Sequence, residues 1–379
     1  MEKKQVSSLI LLDLSAAFDT VDHHILLSRL SLNFGVTSSA LSLLTSYLSD
    51  RSQSVHIGAN SSPSSKLLTG VPQGSVLGPL LFTLYTTPLS YLLNNSGVSF
   101  HMYADDTQLY YSFSASDSVS TLGYLSTVLD SIHSWLSSNF LSVNPSKTQF
   151  LLIGTSQQRS KVASALLSFA GCSLPPSDSA SNLGVFFDSD LSFFKQISSV
   201  CRRSYHSIRI LRQVRSCLDL KTAILLANSL TSSNLDYCNF LYFSLPNSSL
   251  HRLQLVQNSL ARAVLRLKSR DHISPALHSL HWLPIHQRIQ FKICLLTYKS
   301  LHNQAPVYLS NLLKPYVPSR RLRSSDASLL SVPFLKSVSG RRSFSFSAPT
   351  LWNSFPLHVR LSPTLLSFRH TLKTFLYPP

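Results

Sequence analysis

Two adjacent acids, Asp105 and Asp106, stand between the short apolar and β-prone segments 98–102 and 109–113. This pattern predicts two strands joined by a tight turn, with both carboxylates at its tip. Because neighbouring carboxylates repel each other, a fold that concentrates them must supply a counter-charge, and hard cations such as Mg²⁺ prefer carboxylate oxygens. An ordinary Asp-rich hairpin turn is the alternative, since Asp favours turns in any protein.

A third acid, Asp13, lies near the end of the mostly apolar run 6–14. Such a run is typical of a strand buried on both faces, where an ionised group is costly unless it is paired or bound to a metal. The chain then turns back over the strand end, and a helix is predicted from about residue 25 to 32, with Asp22 as its N-cap. A second helix is predicted over 38–48 from its apolar spacing.

The segment 70–79 combines three glycines with two prolines immediately before an apolar stretch. Glycine lets a ligand approach the backbone closely, and the N-terminus of a helix favours anions. The segment lacks the Gly-Lys-Ser/Thr of a Walker loop, so it is no ordinary phosphate loop. A bare strand-to-helix turn is the alternative interpretation.

The remaining pattern of this half predicts a hairpin from 55–58 and 66–68, a helix over 119–140, a strand over 148–153 and one strand of a small hairpin over 181–187. The apolar stretch 77–93 contains Pro79 and Pro88, and it is therefore interpreted as a buried helix and not as a membrane span. Antiparallel strands backed by helices describe an α+β domain.

The chain of 379 residues carries 33 Lys and Arg against 16 Asp and Glu, a net charge of +17. Such a balance suits a polyanionic partner, nucleic acid first and an anionic membrane second. Basic residues crowd two predicted helices: Arg202, Arg203, Arg209, Arg212 and Arg215 in one, and Arg252, Arg262, Arg266, Lys268 and Arg270 in the other. We predict a surface that contacts a phosphate backbone, with a merely solvated helix face as the alternative.

Five widely spaced cysteines and the histidines His23, His24, His56 and His101 show no zinc-binding spacing. We therefore expect reduced thiols and surface or pocket-lining histidines. The first residues do not have the pattern of a signal peptide, which predicts an intracellular and not a secreted protein.

Five segments together resemble the catalytic motifs of reverse transcriptases. Residues 12–21 resemble the first motif, 70–75 the second, 103–106 the third, 144–148 the fourth and 183–185 the fifth, which is the primer grip. The run Phe-Asp-x-Val-Asp-His after the first aspartate is similar to the non-LTR, LINE-type branch of retrotransposons. Each motif is weak by itself, but five in the right order and spacing are specific.

This resemblance implies a right-hand polymerase palm, an antiparallel sheet backed by helices, followed by a mainly helical thumb and C-terminal region. The implied domains are 1–192, the palm with a partial fingers insert and the primer-grip hairpin; 193–305, a basic helical thumb; and 306–379, a partly ordered C-terminal appendage. The implied function is RNA-directed DNA polymerase, with an RNA template, a DNA primer and dNTPs as partners and no membrane. The implied setting is a nuclear or cytoplasmic ribonucleoprotein.

The resemblance also assigns roles to residues. Two Mg²⁺ ions, or Mn²⁺ instead, would be held by Asp13, Asp105 and Asp106. Phe18 would be the steric gate that selects dNTPs, Gln73 and Gly74 would line the template–nucleotide pocket, and Leu183 and Gly184 would form the primer grip. Lys147 is a candidate general acid, with an exposed turn lysine as the equal alternative. Nucleic acid would contact Arg202, Arg203, Arg209 and Arg212.

The sequence departs from the family pattern at its start, where only 12 residues precede Asp13 and the basic fingers are missing. We therefore expect a chain truncated at the N-terminus, whose activity would suffer through weak nucleotide binding. A relic that binds nucleic acid without catalysis is the second hypothesis, and a product that never folds is the third.

Overall fold

The computed structural model describes residues 5–162, 166–318 and 328–377. The chain divides into two compact units at the junction between Gly184 and Val185. Each unit has its own hydrophobic core. The mixture of an antiparallel sheet with many helices confirms the predicted α+β class.

The first unit contains the strands β1 Gln5–Leu12, β2 Leu14–Ser15, β3 Ser52–Gln53, β4 His56–Ile57, β5 Asn60–Ser61, β6 Ser65–Lys66, β7 Ser99–Tyr103, β8 Asp106–Ser114, β9 Ser142–Val143, β10 Gln149–Ile153, β11 Leu167–Phe169, β12 Cys172–Leu174 and β13 Ser179–Asn182. Its helices are α1 His23–Phe34, α2 Ser38–Leu48, α3 Leu77–Thr86, α4 Leu89–Asn95, α5 Ser118–Ser138 and α6 Ser156–Arg159.

The main sheet of this unit has four antiparallel strands in the order β10-β1-β8-β7. Strand β1 is central, and one of its faces buries Val6, Ile10 and Leu12 in the core of the unit. The amphipathic helix α5 contributes Leu125 and Leu129 to the same core, at the four-residue spacing that a packed helix face requires. The opposite face of β1 continues to Asp13.

Local signals explain the first helices. The Asp22 side chain accepts a hydrogen bond from the backbone N–H of Ile25 at 2.8 Å and confirms the predicted N-cap of α1. Gly35, with a φ of 66°, ends α1 in the left-handed conformation that glycine adopts at helix C-termini. Helix α2 has the bounds predicted from the sequence.

Three segments differ from their predictions. The expected hairpin of 55–58 with 66–68 is two short ladders instead, β3 with β6 and β4 with β5, since the Ser-rich segment supplies no apolar face to fix one register. The apolar stretch 77–93 forms two helices, because Pro88 begins α4. The predicted strand 181–187 is interrupted at Leu183 and Gly184, which both have positive φ.

The second unit contains the strand β14 Val185–Asp188 and the helices α7 Phe194–Val214, α8 Leu220–Ala227, α9 Ser233–Asp236, α10 Asn247–Leu265, α11 Ser274–Ser279, α12 Ile285–Leu301, α13 Val307–Ser310, α14 Phe344–Ser354, α15 Leu357–Arg360 and α16 Leu365–Leu376. A π-helical turn, Asn228–Ser232, lies between α8 and α9.

The C-terminal helices share a core with the helices before them. The ring of Tyr298 in α12 stacks on Phe368 in α16 with centroids 4.5 Å apart, and its hydroxyl donates to the carbonyl of Ser362 at 3.0 Å. Trp352 in α14 is buried beside them, 5.8 Å from the ring of Phe368. The predicted domain limits at 192 and 305 stay predictions. No helix in the part of the chain that the structure describes combines the length and apolarity of a membrane span.

Candidate active site

The strand register brings Asp13 to the carboxylate hairpin. The last pair of the ladder between β1 and β8 is Leu12 with Thr107. One residue further along this antiparallel register, Asp13 stands opposite Asp106. Because directly opposed residues of an antiparallel pair share a face, both carboxylates belong to the face of the sheet away from Leu12.

The turn between β7 and β8 consists of Ala104 and Asp105, since Tyr103 and Asp106 form the last pair of the hairpin. Ala104 has a φ of 53°, whereas Asp105 is not among the residues with positive φ. A positive φ only at the first turn residue is the pattern of a type II′ turn, where glycine is the usual residue. Alanine there costs conformational energy, and the tight turn keeps Asp105 next to Asp106.

The charges of the three acids influence one another. Burial raises the pKa of Asp106 above its ordinary value, and the negative charges of Asp105 and then Asp13 raise it further. The structure thus brings together the three acids of the first and third motifs, which are more than 90 residues apart in the sequence.

The fourth motif is tied to the backbone of Asp13. Strand β2 pairs with β9, and the N–H of Asn144 donates to the carbonyl of Asp13 at 2.8 Å. Asn144 also begins a tight turn, because its carbonyl accepts from the N–H of Thr148 at 3.0 Å. The turn places Lys147, 68% exposed, with its Nζ 3.7 Å from Oδ2 of Asp13. At that distance the contact is an ion pair without a hydrogen bond.

A bound cation would supply the positive charge and the partner atom that the three acids lack. The Oδ2 atom of Asp13 is buried and accepts no hydrogen bond, which is costly for a carboxylate oxygen. Across residues 5–162, 166–318 and 328–377, no group of three or more His, Cys, Asp or Glu is arranged as a set of metal ligands. The unmet acceptor beside Asp106 therefore fits a divalent cation, although the acids are not closed into a ligand set.

The Gly-rich segment is hydrogen-bonded to the chain that follows Asp13. The N–H groups of Val71 and Gly70 donate to the carbonyls of Phe18 and Val21, each at 2.8 Å. The side-chain amide of Gln73 donates to Oδ1 of Asp19 at 2.9 Å. These bonds bring the candidate pocket residues Phe18 and Gln73 together.

Two further contacts complete this junction. Nε2 of His23 lies 2.7 Å from the carbonyl of Gly70. The half-buried ring of Phe18 lies 4.7 Å from that of Phe82 in α3. Sequence reasoning gave no role to Asp19, although its place inside the first motif was an available signal.

Gly70 allows this close approach. Its φ is 90°, and a Cβ added there would lie 2.9 Å from the carbonyl oxygen of Asp19. Gly74 also has a positive φ, 81°, but a Cβ there would meet nothing within 4 Å. Glycine is therefore required at position 70 both by the positive φ and by the lack of room for a Cβ atom. At position 74 it is required only by the positive φ.

The candidate primer grip is linked to the carboxylate strand by two amides. Gln108 in β8 and Asn182 in β13 exchange hydrogen bonds of 2.8 and 3.0 Å. Asn182 immediately precedes Leu183 and Gly184, and Gln108 shares the sheet face of Asp106. Sequence reasoning missed this pair: the alternation in β8 places Gln108 on that face, but it does not indicate Asn182 as the partner.

The four arginines predicted to contact nucleic acid, Arg202, Arg203, Arg209 and Arg212, are all exposed on α7. Other arginines of the two basic segments serve the fold. Arg215 is buried and donates to the carbonyls of Val264 and Leu218, and Arg266 donates to that of Arg215. The basic residues of the two segments therefore divide between an exposed group on α7 and arginines that bond to backbone carbonyls.

Comparison with known proteins agrees with the motifs. Residues 1–187 match the family described as reverse transcriptase (RNA-dependent DNA polymerase). The chain is 28% identical over 271 residues to the probable RNA-directed DNA polymerase from transposon BS of Drosophila melanogaster, covering 69% of this chain and 29% of the relative. It is 26% identical to that of the X-element transposon of the same organism, with the same shares covered. It is 25% identical to the RNA-directed DNA polymerase from mobile element jockey of Drosophila funebris, covering 70% and 29%.

Among solved structures, the chain is similar to telomerase from Candida albicans in complex with a TWJ fragment of telomeric RNA, with 14% identity, a TM-score of 0.32 and coverage of 76% of this chain and 47% of that one. Apo telomerase from Candida tropicalis gives 13% identity, a TM-score of 0.37 and coverage of 75% and 47%.

The chain spans about 29% of the length of its curated relatives. The family match and these relatives nevertheless confirm the resemblance predicted from the motifs. Residues 1–187 of this chain match the reverse transcriptase family, and the relatives from mobile elements support a reverse transcriptase of the non-LTR, LINE-type branch.

Proposed function

We propose that the first unit is the catalytic centre of an RNA-directed DNA polymerase that extends a DNA primer on an RNA template with dNTPs. The observation that carries the proposal is the ladder of β1 with β8, whose last pair, Leu12 with Thr107, adjoins Asp13 and Asp106, with Asp105 in the neighbouring turn. The raised pKa of Asp106 supports it, because burial and then the charges of Asp105 and Asp13 disfavour the ionised carboxylate, and a bound cation would offset both effects.

Asp13, Asp105 and Asp106 would hold two Mg²⁺ ions, or Mn²⁺ in their place. When bound, such ions activate the attacking hydroxyl of the primer and neutralise charge on the leaving pyrophosphate. The Oδ2 atom of Asp13 accepts no hydrogen bond and is therefore available as a ligand atom. Lys147 balances part of the negative charge at Asp13, and its exposed ammonium can reach a departing pyrophosphate to donate a proton.

The junction of the first two motifs would receive the nucleotide. The ring of Phe18 packs against that of Phe82, which restricts its motion. A ring held in this way can exclude a 2′-hydroxyl by steric contact. The side chain of Gln73 is held by its hydrogen bond to Asp19. Gly74 carries no side chain into the open space beside it, which stays free for the nucleotide. Each contact restricts the side chain before substrate arrives, which lowers the entropic cost of binding.

Nucleic acid would be held by two further features. Leu183 and Gly184, fixed through Asn182 to Gln108, would form the primer grip. The exposed Arg202, Arg203, Arg209 and Arg212 would contact the phosphate backbone. A nuclear or cytoplasmic ribonucleoprotein is the setting in which such an enzyme would work.

Primer extension on poly(rA)/oligo(dT) tests the proposal. We expect incorporation of dTTP that needs Mg²⁺ or Mn²⁺ and that falls by roughly 10³-fold or more in Asp105→Asn, the scale of removing one electrostatic catalytic group. Asp130→Asn is the matched control, because Asp130 is exposed on α5 and outside the carboxylate hairpin. Incorporation that survives Asp105→Asn, or that is absent from the wild type under both metals, would contradict the proposal.

A further inference from the structure

A cavity of about 410 Å³ opens in the second unit, beside α12, α16 and the π-helical turn Asn228–Ser232. Its lining residues all belong to this unit, so it is distinct from the carboxylate site of the first unit. The volume lies within the roughly 300–1,000 Å³ of small-molecule sites. π-Helical turns are rare and frequently lie at functional sites. The turn that places Asn228 in the cavity wall is therefore consistent with a binding site.

Four cations line the cavity in two pairs. Arg288 and Lys292 are four residues apart on α12, and Arg369 and Lys373 are four residues apart on α16. Residues at this spacing share a helix face, so each pair points to the cavity as a unit.

Among the described residues, a single acid, Asp236, lines the cavity, and it is already engaged. Arg288 holds it with two hydrogen bonds, of 2.8 and 2.5 Å. Lys292, Arg369 and Lys373 have no other carboxylate in that wall, and such a concentration of positive charge favours a bound anion.

The rest of the wall is apolar and aromatic, with one unmet polar group. Trp282 and Leu283 are buried in it, and Phe291 is half-buried. Asn239 is only 3% exposed, and its Nδ2 donates to Asp236 at 3.3 Å. Because a carboxylate only accepts, this bond fixes the orientation of the amide. Oδ1 of Asn239 is then a buried acceptor without a hydrogen bond. A ligand suited to this wall carries an N–H donor on a flat apolar body.

We propose that the cavity binds one nucleotide of a single-stranded nucleic acid, separately from the polymerase centre. The base packs against Trp282 and Phe291, its amino group donates to Oδ1 of Asn239, and its phosphate lies between the two cation pairs. A peptide of acidic residues would match the cations but offers no flat ring to pack against Trp282 and Phe291. The exposed Arg369 and Lys373 can also meet the next phosphate of the strand, which a free mononucleotide lacks.

Fluorescence anisotropy with labelled oligo(rC) and oligo(3-methyl-rU) of equal length tests this proposal. The assay uses the full chain carrying Asp105→Asn, in EDTA and without dNTPs, so that its result does not depend on polymerase activity. Arg369→Ala with Lys373→Ala removes two exposed cations of the cavity. Lys221→Ala with Lys314→Ala removes the same charge from exposed positions of the same unit that do not line the cavity.

We expect the cavity double variant to bind oligo(rC) about tenfold more weakly, and the control to change affinity by less than about twofold. The slope of log affinity against log salt should become shallower by about 0.7 for each phosphate that is no longer neutralised. The unsubstituted cavity should bind oligo(rC) more tightly than oligo(3-methyl-rU), because 3-methyluracil has no N–H group to donate to Asn239.

Several outcomes would overturn the proposal. Equal losses of affinity in both double variants would show that only net charge matters. Equal affinity for the two oligonucleotides would remove the role of Asn239. Competition by oligo-aspartate as strong as that by unlabelled oligo(rC) would identify an acidic peptide site, and equally strong competition by CMP would identify a mononucleotide site. Loss of primer extension, by contrast, would leave these binding results unchanged.

Discussion

Replacing Asp106 by asparagine should stabilise the protein in the absence of divalent metal. In the wild type, Asp106 shares one end of the sheet with Asp13 and Asp105, and burial together with the negative charges of Asp105 and Asp13 raises its pKa. Asparagine keeps the size and much of the hydrogen bonding of aspartate but removes the charge. The fold then no longer has to hold three like charges together.

The magnitude follows from the strand geometry. Opposed side chains of an antiparallel pair have Cβ atoms about 5 Å apart, which places the carboxylates of Asp13 and Asp106 roughly 6 Å from each other. Their repulsion is then about 0.7 kcal/mol with the dielectric constant of water and about 3 kcal/mol with an effective value of about 20. Asp106 is partly exposed, so solvent screening favours the lower end. We expect a gain of about 1 kcal/mol, or about 2–4 °C in Tm.

The gain should depend on pH in a defined direction. The pKa of Asp106 is raised in the folded state, so the folded protein binds its proton up to a higher pH than the unfolded chain does. Stability of the wild type therefore falls as pH rises from the unfolded to the folded pKa, and it stays lower above that window. The advantage of Asp106→Asn should be full at about pH 7 and should disappear below the unfolded pKa of about 3.9.

Thermal unfolding in EDTA at about pH 7 and at about pH 3.5, on either side of that window, measures both effects. Asp130→Asn is the control for loss of one exposed carboxylate. Addition of Mg²⁺ should then stabilise the wild type more than Asp106→Asn; at tenfold excess over Kd the gain is about 1.4 kcal/mol. The reasoning fails if Asp106→Asn lowers Tm at neutral pH, if its gain is as large at acid pH, or if Asp130→Asn gives the same gain.

The remaining predictions concern the loops and the basic helix. Gly70→Ala should destabilise by more than about 2 kcal/mol in chemical denaturation, from backbone strain and overlap with the Asp19 carbonyl, whereas Gly74→Ala should cost only about 1 kcal/mol. Ala104→Gly should stabilise by about 0.5–1 kcal/mol because it relieves a positive φ, while Ala40→Gly in exposed helix α2 should destabilise by about as much. Arg209→Ala should reduce the salt dependence of duplex binding by about 0.9 in slope and leave thermal unfolding unchanged.

Local signals in the sequence were sufficient for much of the fold. The capping carboxylate of Asp22 and the apolar spacing of 38–48 depend on neighbouring residues only, and both predictions are confirmed. The central strand and the carboxylate hairpin were equally visible, because alternation and turn residues are local properties.

The contacts between distant segments could not be predicted in the same way. Gln108 and Asn182 exchange hydrogen bonds although they are 74 residues apart in the chain. No local pattern specifies the alignment of the strands that brings them together. The bond from Gln73 to Asp19 likewise requires the folded junction of two loops. The sequence also did not show which basic residues would be exposed for binding. Arg215 and Arg266 instead donate hydrogen bonds to carbonyls at helix ends.

The acids of the candidate site are positioned mainly by backbone. Asp13 continues a strand that is paired on both sides, its own carbonyl accepts from Asn144, and Asp105 and Asp106 belong to a hairpin closed by its ladder. None of these bonds involves a carboxylate oxygen. Substitutions of the three side chains should therefore leave the loops and strands in place, and neutralising Asp106 should stabilise the fold. A loss of polymerase activity in such a variant would then report on chemistry and not on unfolding, which is why the Asp105→Asn experiment can decide the function.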